Sequence, residues 1–562
     1  MSERSHQSQV VNSMLWAAFG DALGFMSELV DRRGLEARTG RSSVVETVPW
    51  KYRVGGRYGA QVPMPAGAYS DDTQLRIATA RSIGRAATFN VDAFSKVEIP
   101  VWLSYALGAG RGTKAAAANL SRDNVTWFAN FYSTGSGERS VRYVESGGNG
   151  AAMRIQPHVW ALPPDFDVST LILSVVQNTV TTHGHPRALV GAVFYALVLA
   201  DVLHRGQITP PSEWGRFLDL TKTLPSVIAK DHYLGLMWQP EWERLTGGPL
   251  QTAIYTVIDE CRDDVAALSR LSGLAPEVAY NEYLTMIGGF NALTRGSGTK
   301  SAIGALALSW LFREDQAKGV LAAANALGSD TDTIGSMAGA ILGMTASMEP
   351  PGELQDKKFL VDQALRLSQI ASGADLPDFS YPSLLAWSPP RSASDSVGLF
   401  CGGLGIAGLG AVSPIDSETY HTAERQPSVW RWVHAWFGQT MLVKMRQDLP
   451  DFPESQMPQK DPPMRLHPSP SAIEQLSEVN TKGDVNTKGL RVQRDQEQPL
   501  FKDLRGIDLD RATQEAINSN FDESIIGAML LRLAEGDLGI ENSIAFAAIV
   551  AKARRARLRR RA

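Results

Sequence analysis

Two short acidic segments of nearly the same composition lie far apart in this chain of 562 residues. Residues 70–73 read Ser-Asp-Asp-Thr, and residues 329–333 read Ser-Asp-Thr-Asp-Thr. Carboxylates and hydroxyls packed this tightly repel one another unless a cation lies between them, and Mg²⁺ prefers oxygen ligands of this kind. Two half-sites from distant segments therefore predict a shared, binuclear metal centre.

A plain structural interpretation competes with this one. Ser before Asp is a good helix N-cap, and acidic residues in a first turn complement the helix dipole. Each segment precedes a stretch of helix-forming residues, so either one alone is typical of an ordinary cap. The two together, along with the motifs below, favour the metal centre.

The elements that must position these residues are helices. Amphipathic, alanine-rich runs dominate the first two thirds of the chain, where strand alternation is scarce. Glycines recur every four residues at Gly335, Gly339 and Gly343, and Gly20 and Gly24 have the same spacing. A stripe of glycines lets two helix backbones approach closely, which would bring several helix starts together around one site. We therefore expect a compact all-α core.

Four further motifs occur in a fixed order. Residues 20–28 read Gly-Asp-Ala-Leu-Gly-Phe-Met-Ser-Glu, and residues 146–154 read Ser-Gly-Gly-Asn-Gly-Ala-Ala-Met-Arg. Residues 182–186 read Thr-His-Gly-His-Pro, and residues 325–328 read Asn-Ala-Leu-Gly. With the acidic segments, they resemble the ADP-ribosylglycohydrolase family over roughly residues 10–350. These are all-helical enzymes, typified by the dinitrogenase-reductase-activating glycohydrolases and the animal ADP-ribosylarginine and ADP-ribosylserine hydrolases.

The resemblance implies hydrolysis of the glycosidic bond between ADP-ribose and an acceptor. It also implies two Mg²⁺ ions, with Mn²⁺ as the alternative, which would clamp ribose hydroxyls and activate a water. The metal ligands that match the family pattern are Ser70, Asp71, Asp72, Asp330, Asp332 and Thr333. Glu28 is the candidate for acid–base help or substrate gating, and Asp332 or Asp72 could act as the base. The structural alternative for Glu28 is a solvated surface residue.

The glycine-rich motif predicts a cradle for the diphosphate. Glycines let backbone N–H groups approach an anion, and the helix start that follows adds its positive end. The substrate-binding residues in this interpretation are Ser146, Gly147, Gly148, Asn149, Gly150 and His183. On its own a Gly-Gly-Asn-Gly run is most often a turn, and a single histidine is more often structural. We expect His185 to begin a helix.

Composition excludes several classes of protein. Two cysteines cannot form a disulfide scaffold, and the formal net charge of −4 gives no bulk affinity for nucleic acid or membrane. The longest uncharged helix-like stretch, residues 188–200, is too short to span a bilayer. Asn12 and Asp21 interrupt the apolar run near the N-terminus, so no clean signal peptide is present. We expect a cytoplasmic protein.

The length predicts more than one domain, and composition divides the chain into four regions. They are a catalytic domain at residues 1–380, a Gly- and Trp-rich accessory region at 381–449, a flexible linker at 450–499, and a small helical unit with a basic tail at 500–562. Within the accessory region, residues 397–412 suggest some strand, whereas residues 430–437 predict an amphipathic helix. Residues 48–67, rich in Gly and Pro, predict a rim loop.

The expected partners are an ADP-ribosylated protein and the ADP-ribosyltransferase that modifies it. An inactive relative that binds ADP-ribose or is structural is one alternative class, although both acidic segments are intact. The basic tail suggests nucleic acid as another, but aromatic residues do not alternate with its arginines. We therefore do not expect a nucleic-acid partner. The acceptor stays open between arginine, serine, a base and a small molecule.

Overall fold

The computed structural model describes residues 5–56, 59–137, 140–422, 428–459, 509–519, 521–534 and 539–559. The chain forms two compact units, Met1–Ser469 and Pro470–Ala562. The part of the predicted linker at residues 460–499 lies outside the described residues, as do Arg560 and Arg561 of the predicted basic tail.

Helices dominate the first unit, as the alanine-rich periodicity predicts. Those in its described residues are α1 (His6–Ser27), α2 (Arg32–Thr39), α3 (Asp71–Arg81), α4 (Val91–Ala93), α5 (Ile99–Trp102), α6 (Arg111–Leu120), α7 (Gln156–Trp160), α8 (Val168–Val180), α9 (Pro186–Arg205), α10 (Trp214–Thr221), α11 (Leu224–Lys230), α12 (Gln239–Thr246), α13 (Leu250–Ala267), α14 (Pro276–Met286), α15 (Gly298–Leu311), α16 (Gln316–Asn325), α17 (Thr331–Thr345) and α18 (Lys357–Ala371). Short 3₁₀ and π turns connect several of them. The expected helical core is confirmed.

Helices α1 and α17 form the central pair, and glycines on the facing surfaces allow their backbones to approach closely. A Cβ atom on Gly339 would lie 2.2 Å from the carbonyl oxygen of Trp16, and one on Gly24 would lie 2.3 Å from that of Thr331. Side chains at these positions would force the backbones apart. Because the two helices run antiparallel, the end of α1 lies beside the beginning of α17.

Two further helices are buried on all sides. Every one of the 11 residues of α3 is buried, including its charged residues. Helix α9 is, by length and composition, apolar enough to cross a membrane, but 89% of the window that passes this test is buried inside the protein. That burial is typical of the central helix of a folded core.

A two-stranded hairpin and a sheet complete this unit. Strands β1 (Trp50–Val54) and β2 (Ala60–Met64) pair antiparallel, so the rim segment that we expected to be a loop is a hairpin. A short pair, β3 (Ser133–Thr134) and β4 (Val141–Arg142), follows. The accessory region forms a 6-stranded antiparallel sheet of β5 (Val397–Phe400), β6 (Gly403–Ile406), β7 (Gly410–Pro414), β8 (Tyr420–His421), β9 (Val429–Ala435) and β10 (Thr440–Met445).

The prediction of an amphipathic helix at residues 430–437 is wrong. Trp430 and Trp432 lie on β9, where Trp432 pairs with Leu442 of β10. Both indoles are buried in one apolar cluster with the β1–β2 hairpin. The strand suggested within residues 397–412 is present as β5, β6 and part of β7.

In the second unit, three helices lie in the described residues: Leu509–Asn518, Glu523–Ala534 and Gly539–Arg559. They share a small apolar cluster in which Phe521, Met529 and Phe546 are buried. The guanidinium of Arg557, in the basic tail, lies over the ring of Phe521 at 5.6 Å.

Candidate active site

Three helices bring carboxylates together at one point. Asp21 of α1, Asp72 of α3 and Asp332 of α17 each offer an oxygen atom, and these atoms lie within 4.8 Å of one another. All three side chains are buried. The close α1–α17 contact and the start of α3 thus place both acidic segments at the same site, as the sequence predicts.

The first acidic segment is both a helix cap and part of this cluster. The hydroxyl of Ser70 accepts a hydrogen bond from the Asp72 amide at 3.2 Å, which is ordinary N-cap geometry. The same hydroxyl also lies 3.3 Å from Asp72 Oδ2, and the hydroxyl of Thr333 donates to that carboxylate at 3.2 Å. Asp72 is therefore held by hydroxyls from both acidic segments.

The second segment departs from cap geometry. Asp330 occupies the N-cap position of α17 but makes no side-chain capping bond. Its carboxylate instead accepts a hydrogen bond from the side-chain amide of Asn149 at 2.9 Å. The carboxylate thus faces the cavity and the glycine-rich motif, which a simple cap would not do.

Two more carboxylates approach from the cavity side. A Cβ atom at Gly108 would lie 3.0 Å from Asp71 Oδ1 and 3.5 Å from Glu28 Oε2, so both acids lie against the same stretch of backbone. Glu28 follows the last residue of α1, and Asp71 begins α3. The structure therefore brings Glu28, Asp71, Asp72, Asp330 and Asp332 into one cluster.

Burial and mutual repulsion disturb the protonation of this cluster. Burial, and then the neighbouring Asp21, raise the pKa of Asp71 to about 8. Burial also raises the pKa of Asp72 and Asp332 well above the ordinary range, with further increases from nearby carboxylates. The pKa of Glu28 is raised in the same way, by burial first and then by Asp330. Such a set is disfavoured as free anions and suits a hard divalent cation with oxygen ligands.

Asp21 is a functional residue that our sequence interpretation missed. Its carboxylate accepts hydrogen bonds from the Ser70 amide at 3.0 Å, the Thr73 amide at 2.9 Å and the Thr73 hydroxyl at 2.6 Å. It thereby fixes the turn that carries Asp71 and Asp72. The signal was a single acid inside an otherwise apolar helix, since a buried charge needs partners.

An arginine and two aromatic rings lie around the C-terminal end of α1, where Glu28 follows the helix. Arg38 donates to the carbonyl oxygens of Met26 at 3.2 Å and Glu28 at 2.9 Å, which caps the end of α1. Its guanidinium lies over the rings of Trp50 and Tyr52 of the β1–β2 hairpin. Glu28 is half-buried on the cavity wall, so the structural alternative of a freely solvated side chain does not hold.

The glycine-rich motif is tied to the acidic cluster through Asn149. Besides Asp330, the Asn149 amide donates to the hydroxyl of Ser301 at 2.8 Å. Backbone bonds from Asn149 to Gly296 and from Gly298 to Gly147 hold this motif against the start of α15. The side chain of Asn149 is therefore occupied in orienting Asp330, whereas the backbone of the motif lines the cavity.

His183 and Ser146 lie on the same wall. The ring of His183 is buried and its Nδ1 lies 2.7 Å from the Thr182 hydroxyl; burial lowers its pKa to about 3, so the ring is neutral. Ser146 accepts from the hydroxyl of Tyr132 at 2.7 Å. Arg154 joins the two segments through Gly150 and Thr182, both at 2.8 Å. His185 accepts from the amide of Arg187 and begins α9, as expected.

A cavity of about 720 Å³ opens over these groups, which is large enough for a dinucleotide-sized ligand. Most of the predicted site residues contribute to its wall, namely Glu28, Asp71, Asp330, Asp332, Thr333, Ser146, Gly147, Gly148, Asn149, Gly150 and His183. Ser70 and Asp72 lie beneath them, fully buried.

Comparison with known proteins identifies the family of this chain. The family model for ADP-ribosylglycohydrolases matches residues 2–350, and the chain belongs to that family. No curated protein has a sequence that matches it. A solved structure described as an ADP-ribosylglycohydrolase-related protein complex is 19% identical, with 65% of this chain and 99% of that chain covered and a TM-score of 0.40.

Family membership supports hydrolase activity of the ADP-ribosylglycohydrolase kind. The buried triad of Asp21, Asp72 and Asp332 has the donor atoms and spacing to bind a metal ion. Asp21 also accepts three hydrogen bonds from the Ser70–Thr73 turn, so it both belongs to the triad and holds the turn that carries Asp71 and Asp72.

Proposed function

We propose that this protein is a Mg²⁺-dependent hydrolase that cleaves the bond between the anomeric carbon of ADP-ribose and a protein side chain. The observation that carries the proposal is the convergence of Asp71, Asp72, Asp330 and Asp332 beneath a cavity of about 720 Å³. Cytosolic protein modified by a cognate ADP-ribosyltransferase would be the substrate.

The ligand set is Ser70, Asp71, Asp72, Asp330, Asp332 and Thr333, which would hold two Mg²⁺ ions, with Mn²⁺ as the alternative. Oxygen donors from carboxylates and hydroxyls match the preference of these hard cations. When bound, Mg²⁺ would supply a Lewis acid that fixes ribose hydroxyls and makes a water more acidic.

Asp332 is the better candidate for the general base. Asp332 lies on the cavity wall. Although its pKa is raised in the metal-free protein, bound Mg²⁺ would keep its carboxylate ionised and able to accept a proton from water. Asp72 lies deeper, and its oxygens are engaged by the hydroxyls of Ser70 and Thr333. Asp72 therefore anchors the two segments together, whereas Asp332 faces the substrate.

Glu28 would donate the proton that the departing acceptor needs. Burial and neighbouring acids raise the pKa of its carboxyl group, which favours the protonated form. In the overall reaction, water gives its hydroxyl to the anomeric carbon, the glycosidic bond breaks, and the acceptor leaves with a proton. ADP-ribose is released with a free anomeric hydroxyl.

The opposite wall would bind the diphosphate. The backbone of Gly147, Gly148 and Gly150 lines the cavity beside the neutral ring of His183. The Gly147 amide already donates to the Glu145 carbonyl oxygen, so the amides of Gly148 and Gly150 would bind the anion. A neutral imidazole can donate a hydrogen bond without a charge of its own. With the diphosphate bound there, the terminal ribose would lie between the phosphate cradle and the carboxylates.

A substrate panel tests the proposal. ADP-ribose release would be measured from ADP-ribosylated arginine, ADP-ribosylated serine and ADP-ribosylated nucleic acid, each with Mg²⁺, Mn²⁺ or EDTA. We expect release from a protein substrate that is lost with EDTA and restored by Mg²⁺. Full activity after complete metal removal would refute the metal mechanism, and ADP-ribose binding without any turnover would identify an inactive relative.

A further inference from the structure

One of the two buried arginines of α3 lies in the middle of the helix, about one turn after the acidic segment. Arg76 is fully buried, although long cationic side chains are rarely buried without partners. Its guanidinium donates to the Thr73 hydroxyl at 3.2 Å, the Met153 carbonyl at 3.2 Å and the Gln156 side chain at 3.2 Å. It also bonds the Ser336 hydroxyl.

These partners belong to the separate segments that build the site. Thr73 in turn contacts α1, because its hydroxyl donates a hydrogen bond to the Asp21 carboxylate at 2.6 Å. Ser336 lies one turn after Asp332 on α17, and Met153 follows the glycine-rich motif. Arg76 therefore connects α1, α3, α17 and the segment after the phosphate cradle.

The charge of Arg76 also acts on the acidic cluster. Burial lowers the pKa of Arg76, whereas the negative charges of Asp21 and Asp72 raise it. In return, the positive charge of Arg76 lowers the pKa of both carboxyl groups and so stabilises their ionised forms. An arginine stays protonated inside a protein, so this positive charge is permanent. In a medium of low dielectric, one such charge offsets part of the repulsion between neighbouring carboxylates.

We infer that Arg76 is a positioning residue whose charge holds the two acidic segments together before any metal binds. The inference rests on the proposed metal centre. Once metal ions supply positive charge at the cluster, Arg76 contributes less to its stability. The residue therefore stabilises the metal-free protein more than the metal-loaded one.

The test compares melting temperatures of the full chain in EDTA and in MgCl₂. For Arg76→Met we expect a metal-induced rise in melting temperature that exceeds the wild-type rise by about 3 °C or more. Arg76→Lys keeps the charge but cannot reach all four partners, so its rise should fall between those of the wild type and Arg76→Met. The readout does not depend on turnover.

Arg366→Met is the matched control. Arg366 is equally buried but donates to the carbonyl oxygens of Ile83 and Ala80 and to the Gln363 side chain, away from the acidic cluster. We expect it to lower both melting temperatures by the same amount. Equal losses in the Arg76 variants would overturn the inference.

If Arg76→Met does not fold, Arg76→Gln, which also removes the charge but keeps a hydrogen-bonding group, is judged by the same criterion: a loss larger in EDTA supports the inference, and an equal loss overturns it. A wild-type protein without any metal-induced rise would refute the metal centre itself. The failure of the proposed function is thus distinguishable from the failure of this inference.

Discussion

The two ends of α3 both carry buried charge, but the protein neutralises only one of them. At the last residue, Arg81 forms an ion pair with Glu98 at 2.7 Å, and both side chains are almost completely buried. Tyr381 donates to the same carboxylate, and Gln439 accepts from the same guanidinium, each at 2.7 Å. The charges of Arg81 and Glu98 thus neutralise each other.

At the first turn the balance is different. Asp71 and Asp72 face Asp332 and Glu28, and Arg76 and Arg38 offset only part of that negative charge. Folding would not retain such a cluster for stability, because buried charges without compensation are strongly unfavourable. The contrast supports the proposal that the acidic end binds a cation, whereas the Arg81–Glu98 pair stabilises the other end of the helix.

The largest expected effect comes from the acidic end. Asp332→Asn should reduce ADP-ribose release roughly a thousandfold, because it removes both a metal ligand and the proposed base. The metal-free variant should melt no lower than the wild type, since one repelling charge is gone. Wild-type turnover would contradict the role of Asp332, and Asp123→Asn, at an exposed acid, is the control.

Breaking the balanced end should do the opposite. Arg81→Met leaves Glu98 buried and unpaired, which should lower the free energy of unfolding by about 3–5 kcal/mol in urea. The loss should be the same in EDTA and in MgCl₂, because no metal binds there. A loss of unfolding free energy that differed between EDTA and MgCl₂ would contradict the distinction between the two ends. As a control, the double variant Arg81→Met, Glu98→Leu should recover part of the stability.

The pH dependence of the metal-free protein sharpens the comparison further. The pKa of Asp71 is about 8 in the folded protein, against an ordinary value of 3.8. Between these values the folded state keeps a proton that the unfolded chain releases, so stability should fall as pH rises from about 4 to about 8. Urea unfolding in EDTA should show this decline, and MgCl₂ should suppress it because metal competes with protons. Identical profiles in both buffers would count against the metal centre.

The smallest effect is expected at the link between the two walls. Asn149→Ala removes the hydrogen bond to Asp330 and should weaken Mg²⁺ affinity about tenfold, as for other residues that orient a ligand. ADP-ribose affinity should fall as well, since the cradle would lose its anchor. Calorimetry measures both constants, and unchanged values would leave this motif as an ordinary turn.

Much of the site could be predicted because its chemistry is local in sequence. Residues 70–73 and 329–333 each combine a helix start with carboxylates, and Gly335 and Gly339 mark the face on which two helices touch. Asp21 and Arg76 were missed for a physical reason. Both side chains are buried by segments that are distant in sequence, and the sequence alone does not indicate that burial. An arginine within a helix is ordinarily exposed.

The accessory region shows the same limit. Trp430 and Trp432 are two residues apart, which is the spacing of a strand face, but Trp436 and Phe437, four and five residues after Trp432, also fit a helix face. Strand β9 is buried on both faces, so it lacks the alternation that would have identified it. Only its pairing with β7, β8 and β10 settles the assignment.

The turn from β9 into β10 contacts both ends of α3, the helix that begins with the first acidic segment. Gln439 bonds Arg81, and the amide of Thr440 shares the Asp356 carboxylate with the hydroxyl of Tyr69, just before Ser70. The family match ends at residue 350, ahead of all three anchors. A chain trimmed to that span would keep both acidic segments but lose the contacts that hold the two ends of α3, so we expect it to be less stable than the full chain.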